Sequence, residues 1–155
     1  MTLNPDTIWT KIYAALATNS STKITDPNTT RNDPTLAIFS SFPDYSTQQY
    51  YPIFIIQEPV LSEYGYAINS STRVVRGSIT VQVYALSSAN LKNAVNVIKA
   101  GIRASKDYLE GQDVKLTFSP EEPMFSDDAP TSWMEGNKKV HVQVFSFNIK
   151  SSGTS

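Results

Sequence analysis

Residues 72–118 constrain the fold more than any other part of the chain, because they read as a long strand, a long amphipathic helix and a short strand in succession. Within 72–86, Val75, Ile79, Val81, Val83 and Ala85 share one parity, while Arg76, Ser78, Thr80, Gln82 and Tyr84 share the other. That period of two marks a strand with one buried face. Gly77 interrupts the apolar side, which predicts a bulge or a close neighbour at that point. Ser87 or Ser88 supplies an N-cap for the helix that follows. Leu91, Val95, Ile98, Ile102, Ser105 and Leu109 then recur in steps of four and three, the seam of an amphipathic helix, and Gly111 closes it. About 22 residues at ~1.5 Å each make a rod of roughly 33 Å, long enough to cross a sheet. Val114, Leu116 and Phe118 alternate as the short strand.

The flanking segments supply the rest of the core. Asn4 caps a first helix, Pro5 suits its first position and Asp6 complements its positive end. Ile8, Ile12 and Leu16 give that helix an apolar stripe over roughly 14 residues. Residues 19–50 read as a long polar loop with turn signals at Asp26-Pro27-Asn28 and Asn32-Asp33-Pro34, and Leu36–Phe39 as a short strand or loop anchor within it. Tyr51–Ile56 reads as a strand apolar on both faces, ended by Pro59. Residues 60–71 form a Tyr-, Ser- and Asn-rich connection, and 119–137 an acidic, Pro-containing loop. In the last strand, Lys138–Lys150, Val140, Val142 and Val144 have one parity and Phe145, Phe147 and Ile149 the other. Either a bulge resets its register or it is covered on both sides. Residues 151–155 form a flexible polar tail. The expected build is a single α+β domain over 1–155: a mostly antiparallel sheet of about four strands with two helices packed on one face.

Chemistry is sparse. The net charge of −1 and the scattered Lys and Arg argue against binding nucleic acid through a basic field. With no cysteine, disulfides, thiolate zinc sites and thiol nucleophiles are excluded. The N-terminus shows no basic stretch followed by an apolar one, so no signal peptide is expected, and the longest apolar run, Ile53–Ile56, is too short to span a bilayer. His141 has no carboxylate at ligand spacing in its strand and reads as a strand-surface residue. Glu121-Glu122 and Asp127-Asp128 read as solvated acidic runs, or as partners of basic residues on another subunit. No glycine-rich phosphate loop is present. The expectation is therefore a protein that is not an enzyme and has no catalytic residues, cofactor or metal. Loop aromatics either pin loops down or anchor protein contacts, where Tyr, Trp and Met are enriched. The interface candidates are Tyr45, Tyr50, Tyr64, Tyr66, Arg73, Arg76, Phe125, Asp127, Asp128 and Trp133.

The order of elements resembles a known family. An N-terminal helix, a strand beginning Tyr51-Pro52-Ile53-Phe54-Ile55, the long strand Ser78–Ala85, a capped amphipathic helix and a last strand His141–Phe147 are similar to the tail terminator, or tail completion, proteins of long-tailed phages and related archaeal viruses. The resemblance covers most of the chain and is one of pattern, since that family has no invariant signature to match. It implies a virion protein of the tail or neck, assembled in the host cytoplasm. It implies a homo-oligomeric ring, usually a hexamer, that caps the tail tube, ends its polymerisation and contacts the head-side connector, with DNA passing through the lumen unbound. A head–tail connector of similar fold, or a cellular ferredoxin-like α+β binding module, are the alternatives. The 19–50 loop is longer than a terminator needs.

Overall fold

The computed structural model describes residues 5–42, 51–65, 72–112 and 115–154. Helix α1 (Pro5–Tyr13) runs into a π-helical turn, Ala14–Thr18, that closes with the Asn19 N–H donating to Ala14 O at 2.8 Å. Together they span the residues predicted for the first helix; its expected cap, Asn4, lies outside the described residues. A 3₁₀ turn (Pro34–Leu36) and strands β1 (Ile38–Phe39), β2 (Ile53–Ile56), β3 (Val60–Gly65) and β4 (Thr72–Ala85) follow. Then come α2 (Ser88–Ala104), α3 (Lys106–Glu110), β5 (Leu116–Phe118), β6 (Ser126–Asp127), β7 (Thr131–Glu135) and β8 (Lys138–Thr154). The Ser87 side chain accepts from the Asn90 N–H, the predicted N-cap. The predicted single rod breaks at Ser105, which is buried and turns its hydroxyl back to Gly101 O at 2.7 Å.

The sheet is built on one pairing. β4 and β8 run antiparallel in unbroken register from Thr72 opposite Thr154 to Ala85 opposite His141. The α+β class and the packing of α1 and α2 on one face agree with expectation, but among the described residues the sheet has eight strands rather than about four. The additional strands come from segments expected to be irregular. Val60–Gly65 pairs with β4, Ser126–Asp127 and Thr131–Glu135 pair with β8, and Ile38–Phe39 pairs with β2 in parallel. The tail expected to be flexible also pairs: residues 151–154 lie opposite 72–75, and Ser155 lies outside the described residues. Short polar stretches escape periodicity arguments because their strand state comes from an already formed neighbour offering backbone groups.

Two irregularities bend the flanks of the central pair. Ile56 faces Val81 and Val60 faces Ser78, so Gln57, Glu58 and Pro59 stand opposite only Ile79 and Thr80. This bulge inverts the parity of the edge: Phe54 and Ile56 face the helices before it, Leu61 faces them after it, and Val60 turns to solvent. On the other flank Asp128, Ala129 and Pro130 stand opposite Gln143 and Val144, a second bulge. Each carries a proline, which cannot donate to a ladder and fits where the ladder is interrupted. No bulge occurs at Gly77; it faces Leu61 and Ile149 in regular register. It is instead a point of close approach, where a Cβ would sit 2.6 Å from Leu61 Cδ2 and 2.7 Å from Val60 O.

The main core joins Ile8, Ile12 and Leu16 of the first helix, the α2 seam, and the inward faces of β2, β4, β5 and β8. A smaller cluster of Tyr51, Ile53, Ile55 and Val140, with Phe39 and Tyr84 against it, lies on the other face. The β8 parity change is thus explained by cover on both sides without a bulge. Of the segment expected to be a long loop, residues 19–42 are described and are tied down. Ile24 is buried against Gly101 of α2, where no side chain would fit. Buried Asp26 holds Arg31 in a two-pronged ion pair, with Nε donating to Oδ2 at 2.6 Å and Nη2 to Oδ1 at 2.7 Å. Arg31 also donates to Pro52 O at 2.9 Å, and Asn28 Nδ2 to Tyr51 O at 3.1 Å, which fixes the start of β2. Burial by itself would raise the Asp26 pKa, but Arg31 and the N–H groups of Asn28 and Asp33 bring it below the usual carboxylate range.

Two outcomes follow from this packing. Asp26→Asn removes the carboxylate charge that buried Arg31 grips with two N–H groups and costs about 3–5 kcal/mol in denaturant unfolding at pH 7. Because the folded-state pKa is depressed, the stability Asp26 supplies is present above the ordinary aspartate value of ~3.9 and is lost as pH falls through the lower folded value. The gap between wild type and variant therefore closes on acidification. Gly77→Ala costs about 1–3 kcal/mol, since the Val60 backbone must shift to admit the methyl group.

Candidate protein-contact surface

Helix α2 covers only part of the sheet, and the uncovered parts carry the apolar surface. On the face away from the helices an aromatic row crosses three segments. The Phe42 ring meets Tyr84 edge-on with centroids 5.0 Å apart, and Tyr84 meets Trp133 edge-on at 5.6 Å. Tyr84 is half-buried, donates to Gln82 Oε1 at 2.8 Å, and has its phenol pKa raised by burial. Phe42 and Trp133 cap the row and are exposed.

Trp133 also belongs to a projecting arm. Strand β7 returns into β8 through Gly136-Asn137, with Gly136 at φ 60° in the first turn position, where a tight hairpin needs the left-handed region. Residues 126–139 are exposed wherever their side chains are described, while Val140, opposite Trp133, is buried in the smaller cluster, so the ribbon meets a core only at its base. Trp133, opposite Val140, projects on one side; Met134, opposite Lys139 and 62% exposed, projects on the other. Such a ribbon is marginal by itself and is held here by the continuity of β8.

The remaining candidates divide. Phe125 is half-buried: its ring sits edge-on to Phe145 at 5.2 Å and Phe147 at 5.8 Å, beneath the Arg103 guanidinium at 4.9 Å. It pins the 119–125 segment to the sheet. Asp127 accepts from Lys99 Nζ at 2.6 Å, while Glu121 and Glu122 accept from Lys106 Nζ at 3.3 and 3.2 Å. The nearest described cations to these acids thus belong to their own chain, and hydrogen bonds to Glu122 and then Glu121 raise the Lys106 pKa. Asp128 is exposed and its N–H donates to Val144 O. Arg76 is exposed between Ser62 and Lys150 in neighbouring strands. Tyr64 and Arg73 lie in β3 and β4, opposite Val74 and Gly65, with only their backbones described. Tyr45, Tyr50 and Tyr66 lie outside the described residues. His141 faces Ala85 and Ser132 in the ladder and is partly exposed. Among the described residues no group of His, Asp and Glu is placed to hold a metal, and no helix is long and apolar enough to cross a membrane.

Tyr84, Phe42 and Met134 are not among the interface candidates drawn from the sequence. Tyr84 was read only as the polar face of β4. The signal for the arm was present, since Gly136-Asn137 between Thr131–Glu135 and Lys138–Val144 is a two-residue hairpin pattern.

No family model and no curated protein matches the chain. Among solved structures, a chain of one described as "Virion of native gene transfer agent (GTA) particle" aligns over 92% of this chain and 92% of its own, with 13% identity and a TM-score of 0.46.

Replacing Trp133 by Ala removes one exposed edge-on ring contact. The isolated chain should lose only about 0.5–1.5 kcal/mol in thermal or denaturant unfolding. A loss above about 3 kcal/mol, the range of a core aromatic, would place Trp133 in the fold rather than on a contact surface.

Proposed function

We propose that this chain is a structural virion protein that assembles with copies of itself into a ring, closing the tail tube and joining it to the head-side connector. One observation carries the assembly reading: the exposed apolar side chains of the arm at residues 126–139, Trp133 and Met134, beside the capped aromatic row. Exposed apolar side chains on such an arm gain from burial against another chain. The tail-terminator role rests on the order of elements, which resembles that family over most of the chain. The charge of −1 suits a lumen through which DNA slides without being held.

In this reading the protein works by contact, not by turnover, and His141→Ala alters little beyond stability. The direct functional test adds the purified protein to polymerising tail tube protein of the same virus and measures tube lengths by electron microscopy. The expected result is tubes with capped ends and a mean length that falls as the added protein rises. Unchanged lengths and bare tube ends would overturn the terminator role.

A further inference from the structure

The chain holds three methionines and no cysteine, so no thiolate competes with its thioethers for a two-electron oxidant. Met1 lies outside the described residues. The other two are among the most exposed large apolar side chains described. Met124, in the turn between β5 and β6, is 71% exposed, and Met134 is 62% exposed. A small oxidant reaches side chains this open without any unfolding. Their settings differ. Met134 stands on β7 opposite Lys139, next to Trp133 and close to the Gly136 turn, so it belongs to the arm. Met124 lies outside the arm, before β6 begins at Ser126.

We propose that Met134 is an oxidation site that controls assembly: its conversion to the sulfoxide by hydrogen peroxide keeps a free copy from joining its neighbours. This rests on the assembly reading above. In the step, a sulfur lone pair attacks one peroxide oxygen, the S–O bond forms as the O–O bond breaks, and the second oxygen leaves as water. Sulfur loses two electrons and the peroxide gains them. An adaptable apolar side chain becomes a polar one. In the free chain the sulfoxide stays in water, and the fold is unaffected. Covering it with another chain strips that water, and without a donor to replace it the loss opposes association. The change is reversible, because methionine sulfoxide reductases return the thioether.

The test treats full-length wild type and Met134→Leu with hydrogen peroxide. Peptide mass mapping locates the added oxygen, and light scattering after size exclusion reads association. In dilute wild type, Met124 and Met134 should both take up one oxygen at comparable rates. Oxidised wild type should self-associate about tenfold more weakly than untreated protein, and a methionine sulfoxide reductase should restore association. Oxidised Met134→Leu, which still carries Met124, should associate like untreated wild type. Met134 left unmodified while Met124 oxidises, oxidised wild type that associates normally, or oxidised Met134→Leu that loses association as wild type does would each overturn the proposal and leave the assembly reading in place. Untreated wild type that stays monomeric at every concentration would overturn the assembly reading, and the role of Met134 with it.

Discussion

The structure depends on the unbroken antiparallel pairing of Thr72–Ala85 with His141–Thr154. It brings the middle and the end of the chain together and gives β2, β3, β5, β6 and β7 a template. β2 and β3 line one side of the pair; β5, β6 and β7 line the other. The inward row, with Ile79, Val81 and Val83 facing Phe147, Phe145 and Gln143, forms the floor on which the helices pack. Burying residues such as Phe54, Phe145 and Ile79 stabilises that floor by about 1.5–3 kcal/mol each.

The same pairing explains why apolar surface is left uncovered. An α-helix advances ~1.5 Å per residue and a strand ~3.3 Å. The 17 residues of α2 therefore reach about 25 Å, while the 17 of β8 reach about 56 Å. Strands of this length outrun their helical cover. At one end of β8 the excess becomes the β7–β8 arm with Trp133 and Met134. On the far face only a small cluster around Ile53, Ile55 and Val140 forms, capped by Tyr84, Phe42 and Trp133. The bulges at Gln57–Pro59 and Asp128–Pro130 let the flanking strands follow the long pair without keeping its parity.

The frame was legible in the sequence because it rests on strong periodicities. The alternation of Val75 to Ala85 and the seam from Leu91 to Leu109 appear in the structure as the buried positions of β4, α2 and α3. What was not legible depends on partners distant in sequence. Nothing local marks Asp26 and Arg31 as a buried ion pair; turn residues nearby gave only a loop. The strand state of Val60–Gly65 and Ser126–Asp127 is conferred by β4 and β8. Trp133, chosen by its type, lies exposed on the β7–β8 arm, whereas Phe125, chosen on the same ground, is half-buried beneath Arg103. Residue type proposes an anchor, and only the neighbours decide whether its partner lies inside the chain.

If the chain assembles as proposed, its copies meet on the surfaces left beyond the helical cover. A cryo-electron microscopy reconstruction of the purified protein tests it most directly. The expected result is a closed ring in which Trp133 and Met134 are covered by a neighbouring copy. A single-copy particle, or an oligomer joined through the outer face of α2 with the arm left in solvent, would contradict it.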